Sequence, residues 1–143
     1  MLVLATAMAS PADAALDAAG KTALAQYRLS ADTLHRMEAV TQEAKAQGLP
    51  MLSHFSLATH SASIASLTRR VNAMPHVPSL LAEHGLSAHA YVLASLAMMQ
   101  SAMATRMHGS PIVAKIVGSS NPANQAFYEQ HQAAIRKLMA MSQ

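Results

Sequence analysis

Cysteine is missing from all 143 residues, tryptophan is missing too, and the rings amount to two Phe and three Tyr. Without cysteine there is no disulfide framework, no thiolate metal site and no cysteine nucleophile. With so few rings, the core falls to Leu, Ala, Val, Ile and eleven Met, whose flexible thioethers fill irregular gaps. Charge is also thin. Ten Lys and Arg against seven Asp and Glu leave a formal charge of +3 and a pI near 9.6. Apart from Arg69-Arg70 and Arg136-Lys137 the basic residues stand singly. No basic stripe forms and few aromatics offer stacking, so the pattern speaks against nucleic-acid binding. Five glycines build no phosphate-cradling loop, and neither G-x-S-x-G nor H-E-x-x-H occurs. No two of the seven carboxylates have a spacing that forces them into one cleft, which argues against catalysis. Nor does any run approach the roughly twenty apolar residues that a membrane-spanning helix needs.

What is present is helical periodicity. The run from Ser87 to His108, SAHAYVLASLAMMQSAMATRMH, is the longest apolar-periodic stretch and is expected to be the helix around which the others pack. Ser87 is placed to cap its first turn, and Gly109 with Pro111 to stop it. Val92, Leu96, Met99 and Met103 recur at three- and four-residue steps, Leu93, Ala97 and Met107 widen that stripe, and Gln100 falls on the presumed polar side. His89 and Arg106 mark the two ends.

Other segments carry similar signals. Ser30 has the position of an N-cap for a helix with Leu34, Met37, Val40, Thr41 and Ala44 on one face. Asp32 and Lys45 suit its dipole, and Gly48 and Pro50 end it. After a loop-like stretch from Met51 to His60, the spacing of Ile64, Leu67, Val71 and Met74 predicts a second helix, with Ser61 or Ser63 as its cap and Pro75 as its terminator. Val77 to Gly85 predicts a short helix with Pro78 in its first turn. Asn121-Pro122 starts a last helix running to about Met141, with Phe127, His131, Ala134, Ile135 and Leu138 on one face. The β-branched run Ile112 to Val117 has no partner strand, so it is taken as an extended connection or a helical turn. The Ala-rich stretch Asp13 to Gln26 could be helical or loose, with Gly20 as its expected break, and is not counted as an element. The expectation is an all-α fold, a compact bundle of four principal helices plus a short one.

The N-terminus MLVLATAMASPADAALDAAG joins a short apolar run to Ala12-Asp13-Ala14, an A-x-A cleavage site. Residues 1–14 then form a signal peptide and residues 15–143 one helical-bundle domain, exported to the periplasm or secreted. The alternative is an alanine-rich first helix of a cytoplasmic protein. The segments GLSAHAYVLASLAMMQSAM and NPANQAFYEQHQAAI together resemble small exported bacterial helical proteins of uncharacterised function. That resemblance implies an exported helical domain and carries over no catalytic residue.

Histidine and methionine hold the remaining chemistry. Met51 stands near His54, Met74 near His76, Met107 beside His108, and His35 near Met37. Thioethers suit Cu(I), and imidazoles suit copper, zinc and nickel. These six residues, Met51, His54, Met74, His76, Met107 and His108, are therefore candidate copper ligands, with Met99, Met103 and Met107 a helical step of four apart. The competing view is that methionine replaces the missing aromatics in the core. His89 and His131 fall within apolar stripes, so either could meet haem iron in a bundle core with Met37, or Met8, opposite; a core histidine bonded to a carbonyl is the plainer reading. The sequence thus points to binding or assembly with a small ligand or protein partner, with periplasmic copper binding as the alternative. Expressed from its complete gene in a bacterium, the protein should be trimmed before Ala15. Intact mass spectrometry checks this, and a full-length chain in the cytoplasm would defeat it.

Overall fold

A computed structural model describes residues 16–49, 63–107, 111, 118 and 120–141. Among them seven helices form: α1 (Ala18–Gln26), α2 (Ala31–Ala46), α3 (Ile64–Asn72), α4 (Val77–Glu83), α5 (Ala88–Arg106), α6 (Pro122–Gln130) and α7 (Gln132–Met141). The fold is all-helical, and no described helix is long and apolar enough to cross a membrane. Residues 1–14, expected to be a signal peptide, and the run Ile112 to Val117 lie outside the described residues.

Helix starts follow the capping chemistry of the sequence. The hydroxyls of Ser30, Ser63 and Ser87 accept from the amides of Thr33, Ser66 and Ala90, so each satisfies a first-turn donor that has no partner within its helix. Ser63 and Ser66 close a reciprocal capping box, which decides for Ser63 over Ser61 as the cap. At the other ends, Gly48 and Gly85 take φ values of 68° and 73°, left-handed conformations that end α2 and α4 at low steric cost.

Two expectations about the helices need correction. The first concerns Asp13 to Gln26, whose second half is a helix after all. Asp17 caps it, its Oδ1 accepting from the Gly20 amide at 2.7 Å. Gly20 does not break it but sits buried in its first turn, where a Cβ would come within 2.7 Å of the Leu16 side chain folded over it. Leu16 and Leu24 join the core. The second concerns the last helix, which is divided at His131. The His131 amide bonds to both Phe127 O and Tyr128 O, and its ring Nδ1 lies 3.0 Å from the same Phe127 carbonyl. A side chain that competes for the carbonyl four residues back distorts a helix locally. Winding resumes when Ile135 N–H donates to His131 O.

The core gathers on α5, which contacts α1, α3, α4 and α6, while α2 packs against α4 and α7. With neighbours on so many sides, α5 is buried nearly all round. Tyr91 through Met98 are buried without a gap, and Gln100, Ser101 and Ala102 follow. The broad apolar face expected for this helix is wider still, and the polar side presumed at Gln100 is not there. Gln100 is fully buried, not on a polar side, whereas Met99 and Met103 are only half-buried. A helix apolar around its circumference belongs in an interior, and alanines at 94, 97 and 102 let the neighbours approach closely. Two of its hydroxyls donate within the helix, Ser95 to Tyr91 O at 2.6 Å and Thr105 to Ser101 O at 3.0 Å.

Central packing makes α5 intolerant of truncation. Leu96→Ala removes buried methylenes and leaves a cavity, at a cost of about 2–5 kcal/mol in a domain whose whole stability is about 5–15 kcal/mol. The exposed His89, replaced by alanine, should barely move the denaturation midpoint. Equal, small effects at the two sites would mean that α5 is not central.

Candidate functional site

Three of the six copper candidates, Met74, His76 and Met107, fall among the described residues. Met51, His54 and His108 lie outside the described residues. Met74 follows α3, half-buried against the core. His76 is exposed at the start of α4, with its backbone in the left-handed region at φ 67°. Met107 caps α5 and is 42% exposed. Among the described residues no group of three or more His, Asp or Glu could hold a metal ion.

The other described histidines differ in their surroundings. His35 is exposed while Met37 is buried, so two residues near each other in the chain face different surroundings across α2. His89 is exposed, outside the buried stripe. His131 is half-buried at the α6–α7 junction, its ring stacked on Phe127 with centroids 4.1 Å apart. An imidazole engaged with a ring and a carbonyl is held by the fold, in keeping with the plainer reading of a carbonyl-bonded histidine.

Two polar clusters stand out instead. The first is built on Asn121 and Asn124 at the start of α6. Asn121 Oδ1 caps the helix by accepting from the Asn124 amide at 2.7 Å, and its Nδ2 donates to Tyr27 O at 2.9 Å and Ala25 O at 3.2 Å. One turn on, the fully buried Asn124 accepts from Leu29 N–H and donates to Tyr27 O, both at 2.8 Å. Its carboxamide matches the backbone of the α1–α2 connection donor for acceptor. Beside it, burial pushes the Tyr27 phenol above its ordinary pKa of 10.0, while a hydrogen bond with Thr33 works the other way.

The second cluster joins α2 to the end of α4. Arg36 pairs with Asp32 at 2.8 Å and donates from Nη1 to His84 O and Gly85 O at 3.3 and 3.2 Å. A guanidinium here answers the negative end of α4. It also lies where a Gly85 Cβ would stand, so position 85 needs glycine for space as well as for φ. Glu43 Oε2 lies 2.6 Å from His84 Nε2, both side chains partly exposed. The carboxylate orients the imidazole, and among the described residues no nucleophile is bonded to the pair.

A third set lies where α6 meets α5. Gln125 Nε2 donates to Thr105 Oγ1 at 2.6 Å, and the Ser101 and Ser120 hydroxyls are 3.3 Å apart. Tyr128 OH and Gln125 Oε1 are buried with no hydrogen-bond partner among the described residues. Sequence reasoning missed Asn124 entirely. A signal was there, since Asn124, Tyr128, Ile135 and Leu138 share a helical stripe, and an amide in an apolar stripe calls for a buried partner.

Searches of family models, curated proteins and solved structures found no match. The clusters thus stand on their own chemistry: carboxamides without acid–base function at neutral pH, and a salt-linked surface pair. Asn124→Ala should destabilise by about 1–3 kcal/mol for each backbone group left buried and unpaired. Asn124→Asp should cost at least as much, because a carboxylate oxygen would replace the donor facing Tyr27 O. Urea denaturation, with faster hydrogen exchange of the Leu29 amide, reads both effects. Wild-type stability in Asn124→Ala would show that the clasp carries no weight.

Proposed function

We propose that the chain acts by binding or assembly, as an exported helical module that meets its partner at its surface. The observation that carries this reading is where the polar chemistry is used. Asn121, Asn124 and Arg36 each bond to backbone groups of remote elements, so they build the scaffold and leave recognition to exposed side chains. Among the described residues, Met107 is the large apolar one of these. It ends the Met99, Met103, Met107 series, which runs from half-buried to exposed along α5. Methionine suits an adaptable contact surface because its unbranched, polarisable side chain repacks against varied shapes. Export follows from Ala12-Asp13-Ala14, as the sequence proposes.

The runner-up is periplasmic copper binding through methionine and histidine. One observation favours keeping it: His76 and Met107 are both exposed, and so are within reach of a soft ion.

A photo-crosslinking amino acid placed at position 107, and at the exposed Glu129 as control, tests the first reading in the living source cell. A discrete adduct at 107 and none at 129 is expected, its mass telling a second copy of this chain from another protein. No adduct at 107, or the same products at both positions, overturns it. Cu(I) titration of protein purified without chelator, with stoichiometric tight binding lost in Met107→Leu, would put copper in its place.

A further inference from the structure

Thioether sulfur is oxidised where an oxidant can reach it, and the described methionines differ sharply in that respect. Met37 and Met98 are buried, Met107 is 42% exposed, and the others lie between. Exposure also decides what the product costs. A sulfoxide is polar, so in a packed interior it disrupts the core, while at the surface it is hydrated. Met107 sits past the last turn of α5, its amide bonded to Met103 O at 2.8 Å, so the helix is complete before the side chain leaves it.

We infer that Met107 is a site of reversible oxidation, the described methionine that a peroxide oxidises first while the chain stays folded. The sulfur lone pair attacks one oxygen of hydrogen peroxide, the O–O bond breaks as the S–O bond forms, and the departing oxygen leaves as water after proton transfer. Methionine loses two electrons and the peroxide gains them. A thiol-dependent sulfoxide reductase reverses the step, its thiols becoming a disulfide as the oxygen leaves as water. Exposure serves this return as well, because the enzyme must enclose the side chain. Met103 and Met99, one and two turns back along the helix, are half-buried and follow only at higher oxidant.

The sequence makes the test clean. Trypsin cutting after Arg106 and Lys115 releases MHGSPIVAK, in which Met107 is the sole methionine, and cutting after Arg36 and Lys45 releases MEAVTQEAK, which holds Met37 alone. The full chain is treated with dilute hydrogen peroxide, quenched, digested and analysed by mass spectrometry. In folded protein the Met107 peptide should gain one oxygen at least about tenfold faster than the Met37 peptide, since access sets the rate. In urea the two rates should converge. Circular dichroism and the melting temperature should not change at the stage where only Met107 is oxidised, and methionine sulfoxide reductases with a dithiol should restore the mass. Equal rates in the folded chain, or Met37 reacting first, would overturn the site. Failure of both sulfoxide reductase types to restore the peptide would overturn its reversibility.

Discussion

The connection between α1 and α2 depends on one side chain, Asn124. Tyr27 is extended and the residues from Tyr27 to Leu29 lie outside the helices, so their backbone groups need partners where they meet the core, since an unpaired buried amide or carbonyl costs as much as a lost hydrogen bond. Asn124 supplies both, accepting from Leu29 and donating to Tyr27 across a separation of 95 and 97 residues. Asn121 adds a second donor to Tyr27 O while capping α6. The start of α6 is thus tied to the end of α1, and the packing of α1 and α6 on α5 is drawn together through a polar contact as well as an apolar one.

Around that clasp the core is made from unusual materials. The two largest fully buried side chains are Tyr91 and Tyr128, and aliphatic residues with Met37 fill most of the rest. A core with few rings relies on many small contacts, each worth little but collectively large. Here α5 can sit in the middle because its alanines admit neighbours on several sides. The buried Ser95 hydroxyl turns back to its own helix, while those of Ser101 and Thr105 also meet Ser120 and Gln125 beside α5.

The polar surface works differently. Arg36 binds the carbonyls that end α4, and Glu43 holds the His84 ring next to them. Both contacts are partly solvated, where ion pairs contribute only about 0–1 kcal/mol. Their part is to orient α4 against α2 more than to stabilise the domain. Gly85, lacking a Cβ, is what lets the guanidinium come so close.

Much of this was legible beforehand, and for a local reason. Ser30, Ser63, Ser87 and Asn121 start helices because each oxygen needs only the amide three residues on. Gly48 and Gly85 end helices through their own φ. The buried faces of α2 and α3 also appear as three- and four-residue steps, since one side of each meets the core. What periodicity could not supply is what lies opposite each face. Gln100 and Asn124 are buried because of helices and loops far away in the chain, and Met107 is exposed because nothing among the described residues covers it. His131 divides the last helix through a contest for one carbonyl that spacing does not record. The sequence by itself determined where turns of helix begin and end, a matter of hydrogen bonds within a few residues. The tertiary structure alone decided which polar side chains are enclosed and which thioether meets solvent, because burial is a property of neighbours and neighbours are set by the whole chain.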